Sequence, residues 1–521
     1  DLIEQDIKRF RAFVPVTVVE DISWEQFAKV AANLPSLPGL VPEVGSSRAY
    51  KENEALAHIV GYVGPISKKD KERLSKTNPL FQMPDFQIGK TGIERELNAE
   101  LMGTAGVSKS EVNARGRIMR ELDRNDSKSG LDIQVTINTG LQKFSMARME
   151  GLSASAVVLE IKTGNIIAMS STPSFNPNTL VNGISTKEWT RLLDDIKRPL
   201  SNKSVSDAYP PGSLFKMIVA ITALEKQIIS DHEEIFCSGL YETTASKHHC
   251  WLSSGHGNIN LNKGLKRSCD VYFYDIAQRV GINAIARTAK AFGLSSTFGL
   301  PVSAVSRGLI PDKEWKKSVY NERWLLGDTL NAGIGQGYIL TTPMQIAVMT
   351  ARIASGKKIV PRLINAKGGK IIPIPEPSDL AFRKSTFLGI RDGMNGAVND
   401  IDGTAYKSRI IDPKFQLAGK TGTAQVRRIT KEEREKGVKK NEDLPWRKRD
   451  HALFTGYAPS RKPKYAISVI VEHGGGGSAV AAPIARDIML YALYEKFPSL
   501  SAYPADQHPE IQLRLNELMN I

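Results

Sequence analysis

The chain has 521 residues, too many for one hydrophobic core of ordinary size, so at least two domains are expected. Its 41% apolar content excludes a wholly disordered chain, and no run of about 18 apolar residues offers a membrane-spanning helix. A formal net charge of +15 implies attraction to acidic partners such as nucleic acid, anionic lipid headgroups or phosphate-bearing substrates.

The chain opens on Asp1 rather than Met, which leads us to expect a signal or membrane anchor upstream. The stretch "FVPVTVVEDISWEQFAKVAANL" reads as a strand followed by a helix capped at Asp21 or Ser23. Texture is mixed up to about residue 130, with turns such as "LPSLPGLVPEVG". Within it, Gly-Lys-Thr-Gly at 89–92 precedes "IERELNAELM", where the spacing of Ile93, Leu97 and Leu101 predicts an amphipathic helix and Gly92 a turn or cap. The polar "RELDRNDSKSGLD" marks a domain boundary, giving domains over 1–130 and 131–502 and a C-terminal tail over 503–521.

After the boundary, "LDIQVTINTGLQKF" opens a strand and then a helix, and "SASAVVLEIKTGNIIAMSS" reads as a hairpin turning at Lys162-Thr163-Gly164, with positive φ at the glycine. In "AYPPGSLFKMIVAITALEK", two prolines and a glycine precede Ser213, which should open a buried helix with Lys216 one turn on along the same face. A serine hydroxyl is a weak nucleophile unless a base lies within hydrogen-bond reach, and a partly desolvated amine can be that base. "LNKGLKRSCDVYFYDIAQRVG" then brings Ser268-Cys269-Asp270 to the start of another amphipathic stretch. A further Gly-Lys-Thr-Gly at 419–422 follows the apolar "FQLA" and reads as a strand whose small residues admit a close neighbour. Neither Gly-Lys-Thr-Gly is a phosphate loop, because Pro84 and Lys414 stand where that loop needs a glycine. The mixed charges of Arg427 to Arg449 read as a solvated loop or helix face, "GGGGS" from Gly474 as a mobile connection, and the stretch after Tyr503 as a helix or a tail.

Ser213-x-x-Lys216, Ser268-x-Asp270 and Lys420-Thr421-Gly422-Thr423 follow the order of motifs in the penicilloyl-serine enzymes. Together with "LNAGIGQGYILTTPMQIAVMTARIASGK", "HALFTGYAPS", "RAYKENEALAHIVGYVG" and "IGKTGIERELNAELMGTAG", they make the chain resemble class B penicillin-binding proteins, in particular the penicillin-binding protein 2 group that acts in cell elongation. That resemblance implies an α+β chain: an N-terminal pedestal and a transpeptidase domain with an antiparallel sheet flanked by helices. It implies a peptidoglycan D,D-transpeptidase at the periplasmic face of the bacterial inner membrane. β-Lactams would acylate it, RodA-type and MreC-type proteins would be its partners, and it would have no nucleic-acid role and no organic cofactor.

By the same resemblance, Ser213 attacks the penultimate D-Ala carbonyl of a stem peptide, Lys216 takes the hydroxyl proton, and Ser268 relays it. Lys420 lowers the Lys216 pKa and, with Thr421, Gly422 and Thr423, holds the substrate carboxylate. The backbone N–H groups of Ser213 and Thr423 form the oxyanion hole. Asp270 departs from the family's asparagine; a carboxylate only accepts, so it opposes the pKa depression expected at Lys216. "ERELN" at Glu94 to Asn98 imitates a class A β-lactamase segment but precedes the nucleophile, so it reads as a helix face.

Three cysteines, Cys237, Cys250 and Cys269, surround His256 at a spacing unlike a zinc finger. One disulfide with a free thiol, separate buried cysteines, or a metal site all fit that spacing. The resemblance implies structural zinc on these four residues, with His248 and His249 in reserve. No G-x-S-x-G or H-E-x-x-H occurs, and His451 has no adjacent nucleophile to serve. A D,D-carboxypeptidase or β-lactam hydrolase would use the same acylation, and a non-catalytic scaffold of the elongation complex would leave it idle.

Overall fold

The computed structural model describes residues 16–19, 22–42, 47–67, 70, 72, 78–82, 86–113, 118–181, 183–244, 246–430, 432–433 and 437–519. The chain divides into two compact units, one of residues 1–133 with 175–192 and 301–303, the other of residues 134–174, 193–300 and 304–521.

In the first unit, α1 (Trp24–Asn33) starts at Ser23 through a capping box with Gln26, which satisfies two backbone donors at the helix start. The alternative cap, Asp21, and the first residues of the expected preceding strand lie outside the described residues; 16–19 are not strand. Two antiparallel pairs follow, β1 (Val63–Pro65) with β2 (Gln87–Gly89), and β3 (Val107–Val112) with β4 (Ile118–Asn125). The first Gly-Lys-Thr-Gly is structural. Lys90 pairs with Asp70 at 2.5 Å, and Gly92, at φ +59°, lies where a Cβ would come within 2.5 Å of Gly61 N. The expected helix breaks into two short ones, Gly92–Glu96 and Asn98–Leu101. Glu94 lies in the first of these helices, as expected, and is buried against Arg48 at 3.0 Å and the Tyr50 hydroxyl.

The second unit is built on a five-stranded antiparallel sheet. After α2 (Thr139–Arg148) come β5 (Ala154–Glu160) and β6 (Ile166–Thr172), the expected hairpin, with Gly164 in its connection at φ +75°. Helices α3 (Lys216–Glu225), α4 (Leu261–Lys266), α5 (Asp270–Val280) and α6 (Pro343–Ser355) follow. Then come β7 (Ala418–Ala424), β8 (His451–Ala458), β9 (Tyr465–Val471), α7 (Ala482–Tyr494) and α8 (His508–Met519). Sheet order is β7-β8-β9-β5-β6, which leaves β7, the strand of Lys420, as an edge.

The interior strands read as near-continuous apolar runs because both faces are covered. Leu141 and Phe144 of α2 and Ile484, Ile488 and Met489 of α7 share a core with Val158, Ile467 and Val469 of the sheet. Helix α6 packs on β9, β5 and β8 and is buried from Pro343 to Ala354; it is capped by Thr342 and Gln345 and stopped by Gly356 in the left-handed region.

The residues after 503 are not a free tail. Tyr503 and, on α8, Ile511, Leu515 and Leu518 belong to the same core. Leu515→Ala should therefore cost about 2–5 kcal/mol in a denaturant or thermal unfolding experiment, whereas the same change in a solvated tail would stay within about 0.5 kcal/mol.

Candidate active site and metal-ligand cluster

Ser213 is the second residue of a 3-10 turn, Gly212–Phe215, that runs into α3. The turn rests on the edge strand. A Cβ on Gly212 would lie 2.6 Å from the Thr423 carbonyl oxygen, and one on Gly422 would lie 3.0 Å from Leu214 Cγ. The glycine of the Lys-Thr-Gly motif thus has a steric reason: it admits the turn that carries Ser213. Ser213 is half-buried, while Lys216, one turn later, is fully buried.

Lys216 Nζ donates to Asp270 Oδ1 at 2.7 Å, to the Ser268 carbonyl at 2.9 Å and to Ser268 Oγ at 3.2 Å. Ser268 sits between α4 and α5 at φ +56°, a left-handed conformation that costs a non-glycine residue on the order of 1 kcal/mol or more. Asp270 is the first residue of α5, where a carboxylate suits the positive helix end, and its second oxygen accepts from Trp251 N at 2.8 Å.

Lys420 on β7 is also fully buried, and its Nζ donates to the Thr421 carbonyl at 3.2 Å. Burial first, and the charge of Lys216 second, hold its pKa well below the usual lysine range, with Asp270 opposing. Lys216 itself is ion-paired with Asp270. Thr423 is exposed, whereas Thr421 is buried and donates to Thr404 Oγ1 at 2.8 Å.

Three contributors escaped the sequence reading of the site. Gln336 Nε2 donates to the Thr423 carbonyl at 3.3 Å, and Gly335, at φ +73°, lies where a Cβ would come within 2.1 Å of the Gly212 carbonyl oxygen. The signal was the glycine density of "AGIGQG". Gly477, read as part of a mobile connection, begins a π-helical turn, Gly477–Ala481; its N–H donates to Thr423 Oγ1 at 3.4 Å, and a Cβ there would lie 2.2 Å from the Gly422 carbonyl oxygen.

Cys237, Cys250, His256 and Cys269 bring one ligand atom each to within 4.8 Å of one another. All three cysteines are free, so neither a disulfide nor scattered thiols describe them. His256 Nδ1 lies 3.6 Å from Cys237 Sγ and 3.5 Å from Cys250 Sγ. A tetrahedral ion with Zn–S of about 2.3 Å and Zn–N of about 2.0–2.1 Å requires an S···N separation of roughly 3.6 Å, so the spacing and the donor set both fit. The cluster is tied to the lysine site: Cys250 Sγ accepts from Asp270 N at 3.4 Å. His248 is not one of the four; its Nε2 lies 2.9 Å from Ser246 Oγ, and His249 is likewise outside the cluster.

His451 sits on β8 with Nδ1 accepting from His473 N at 2.9 Å, a structural role. Burial, and secondarily His473, lower its pKa from 6.5 to about 4. Below pH 6.5 the unfolded chain binds a proton that the folded chain refuses, so stability falls as pH drops towards 4. The loss is on the order of 3 kcal/mol for that shift. His451→Asn, which keeps an acceptor for His473 N–H, should flatten this acid limb in unfolding measured from pH 7 to pH 4.

Residues 154–490 match the family model "Penicillin binding protein transpeptidase domain" and residues 1–135 match "Penicillin-binding Protein dimerisation domain". The peptidoglycan D,D-transpeptidase MrdA of Haemophilus influenzae is 34% identical over 518 residues, covering 96% of this chain and 79% of that protein. Pseudomonas aeruginosa PBP2, solved in complex with WCK 5153, superposes with a TM-score of 0.74 at 34% identity over 89% of this chain and 95% of that one. Helicobacter pylori PBP2, solved in complex with MreC, gives a TM-score of 0.80 at 31% identity over 95% and 91%. The chain belongs to the penicillin-binding proteins, with a dimerisation domain preceding a transpeptidase domain.

Proposed function

We propose that this protein is a serine-type peptidoglycan D,D-transpeptidase that cross-links stem peptides during cell elongation and is acylated by β-lactams. The observation that carries this is the pair of fully buried lysines, Lys216 and Lys420, sharing one carboxylate beside the Ser213 turn. Burial first, and the charge of Lys216 second, hold the pKa of Lys420 well below the usual lysine range.

Ser213 Oγ attacks the carbonyl of the penultimate D-Ala, its proton passing to the amine pair, in which Lys420 is the member whose pKa burial depresses. The Ser213 and Thr423 N–H groups stabilise the oxyanion. Collapse breaks the D-Ala–D-Ala bond, and Ser268, fixed by Lys216, returns the proton to the departing amine. An amine of a second stem peptide then displaces Ser213 and forms the cross-link. The donor peptide lies along edge strand β7, with its carboxylate at Lys420 and Thr423. Thr421, engaged by Thr404, shapes that strand from behind.

Ser213→Ala should abolish covalent labelling by a fluorescent penicillin, and Lys420→Arg, which keeps the charge but cannot shed the proton, should slow acylation by about 10²-fold or more. Unchanged labelling of Ser213→Ala would refute the assignment. Cross-linked product in excess of hydrolysed product, with a diamino-acid stem peptide as acceptor, separates transpeptidase from carboxypeptidase; labelling without either product would leave the scaffold reading.

Cys237, Cys250, His256 and Cys269 would hold zinc, whose contribution is structural: it closes the hairpins of residues 235–259 onto Cys269 and so fixes Ser268 and Asp270. Metal analysis of purified protein should return about one equivalent of zinc, with Cys250→Ser losing both metal and thermal stability. The relative solved with MreC supports an MreC-type partner, and a RodA-type polymerase and a site of action at the periplasmic face of the inner membrane rest on the family. No helix among the described residues is long and apolar enough to cross a membrane.

A further inference from the structure

Remote from the lysine site, a cavity of about 440 Å³ lies between the end of α2, the start of α7 and α8. Three guanidiniums, Arg148, Arg486 and Arg514, line it and converge on a single buried carboxylate, Asp487, with contacts of 2.7, 3.3 and 3.2 Å. Lys407 adds a fourth cation; of the other acids of the lining, Glu510 pairs with Arg514 and Asp506 is exposed at the rim. Four cations against three carboxylates, Asp487, Glu510 and Asp506, leave one excess positive charge around the cavity. Ser408, also in the lining and only 1% exposed, has no hydrogen-bond partner for its Oγ. A fully desolvated hydroxyl without a partner costs about 1–3 kcal/mol.

The cavity's remaining wall is Ser478, Ala479 and Val480, which lie in the π-helical turn that Gly477 begins. That same turn donates its first N–H to Thr423 Oγ1 and lies against the Gly422 carbonyl. One side of a five-residue turn therefore faces the arginine cavity, and its start touches the substrate strand.

We propose that this cavity is a binding site for a small phosphoryl oxyanion, of the size and charge of phosphate or pyrophosphate, held by Arg148, Arg486 and Arg514, and that its occupancy alters the Gly477–Ala481 turn and hence the rate at which Ser213 is acylated. Guanidiniums present paired donors that match phosphoryl oxygens, and the volume lies within the range of small-molecule sites. Occupancy of the site stands independently of the proposed reaction; only the acylation readout rests on it.

Titration calorimetry of the purified chain with inorganic pyrophosphate, and separately with inorganic phosphate, tests the site at constant ionic strength. Saturable binding is expected, weakened at least about tenfold, a loss of about 1.4 kcal/mol, in Arg514→Gln and in Lys407→Gln. The second variant alters an exposed side chain and leaves the Asp487 network intact. No saturable heat, binding in both variants undiminished from wild type, or heat reproduced by chloride overturns the site. Fluorescent-penicillin acylation, followed with and without saturating pyrophosphate, should change at least about twofold in the wild type and not in Arg514→Gln. Binding without a rate change overturns the coupling, whereas absent acylation under all conditions would instead count against the reaction proposed above.

Discussion

Two lysine side chains stripped of water in one small volume set the terms for the rest of the second unit. Lys216 and Lys420 come from different elements, α3 and the edge strand β7, and the Asp270 carboxylate supplies the counter-charge for buried Lys216. Everything that fixes Asp270 therefore fixes the site. Its position at the start of α5, the Trp251 N–H on its free oxygen and the Cys250 sulfur on its own N–H are three independent restraints. The left-handed backbone at Ser268 is the cost of delivering both a carbonyl and a hydroxyl to Lys216 from one residue.

Seen this way, the sulfur cluster and the lysine site form one construction. Cys269 stands between Ser268 and Asp270, and Cys250 precedes Trp251, so the hairpins around residues 235–259 reach the lysines through two adjacent residue pairs. The aspartate in place of the family's asparagine belongs to the same arrangement, since only a carboxylate offers a full counter-charge to a buried ammonium. The same charge pairs with Lys216, while burial holds the pKa of Lys420 well below the usual lysine range.

Glycine supplies the close approaches. Gly212, Gly335, Gly422 and Gly477 each stand where a Cβ would meet a neighbour at between 2.1 and 3.0 Å, and all four surround the Ser213 turn or the strand it rests on. Such contacts hold backbone against backbone, which positions N–H groups more rigidly than side-chain packing can.

The sequence alone singled out Ser213, Lys216, Ser268, Asp270 and Lys420, because Ser-x-x-Lys, Ser-x-Asp and Lys-Thr-Gly are local patterns. It also carried the hairpin at Gly164 and the cap at Ser23, whose causes lie within a few residues. It did not reveal that the lysine of the first Gly-Lys-Thr-Gly is ion-paired, that the C-terminal helix belongs to the core, that the glycine run touches β7, or that burial depresses the pKa of Lys420. These depend on what the fold places alongside: Asp70 beside Lys90, the core of α2 and α7 beneath α8, the Gly422 carbonyl against Gly477, and Asp270 nearer to Lys216 than to its partner. Desolvation and counter-charge are properties of a neighbourhood, and neighbours more than fifty positions apart, such as Lys216 and Asp270, are assigned only when the chain has closed on itself.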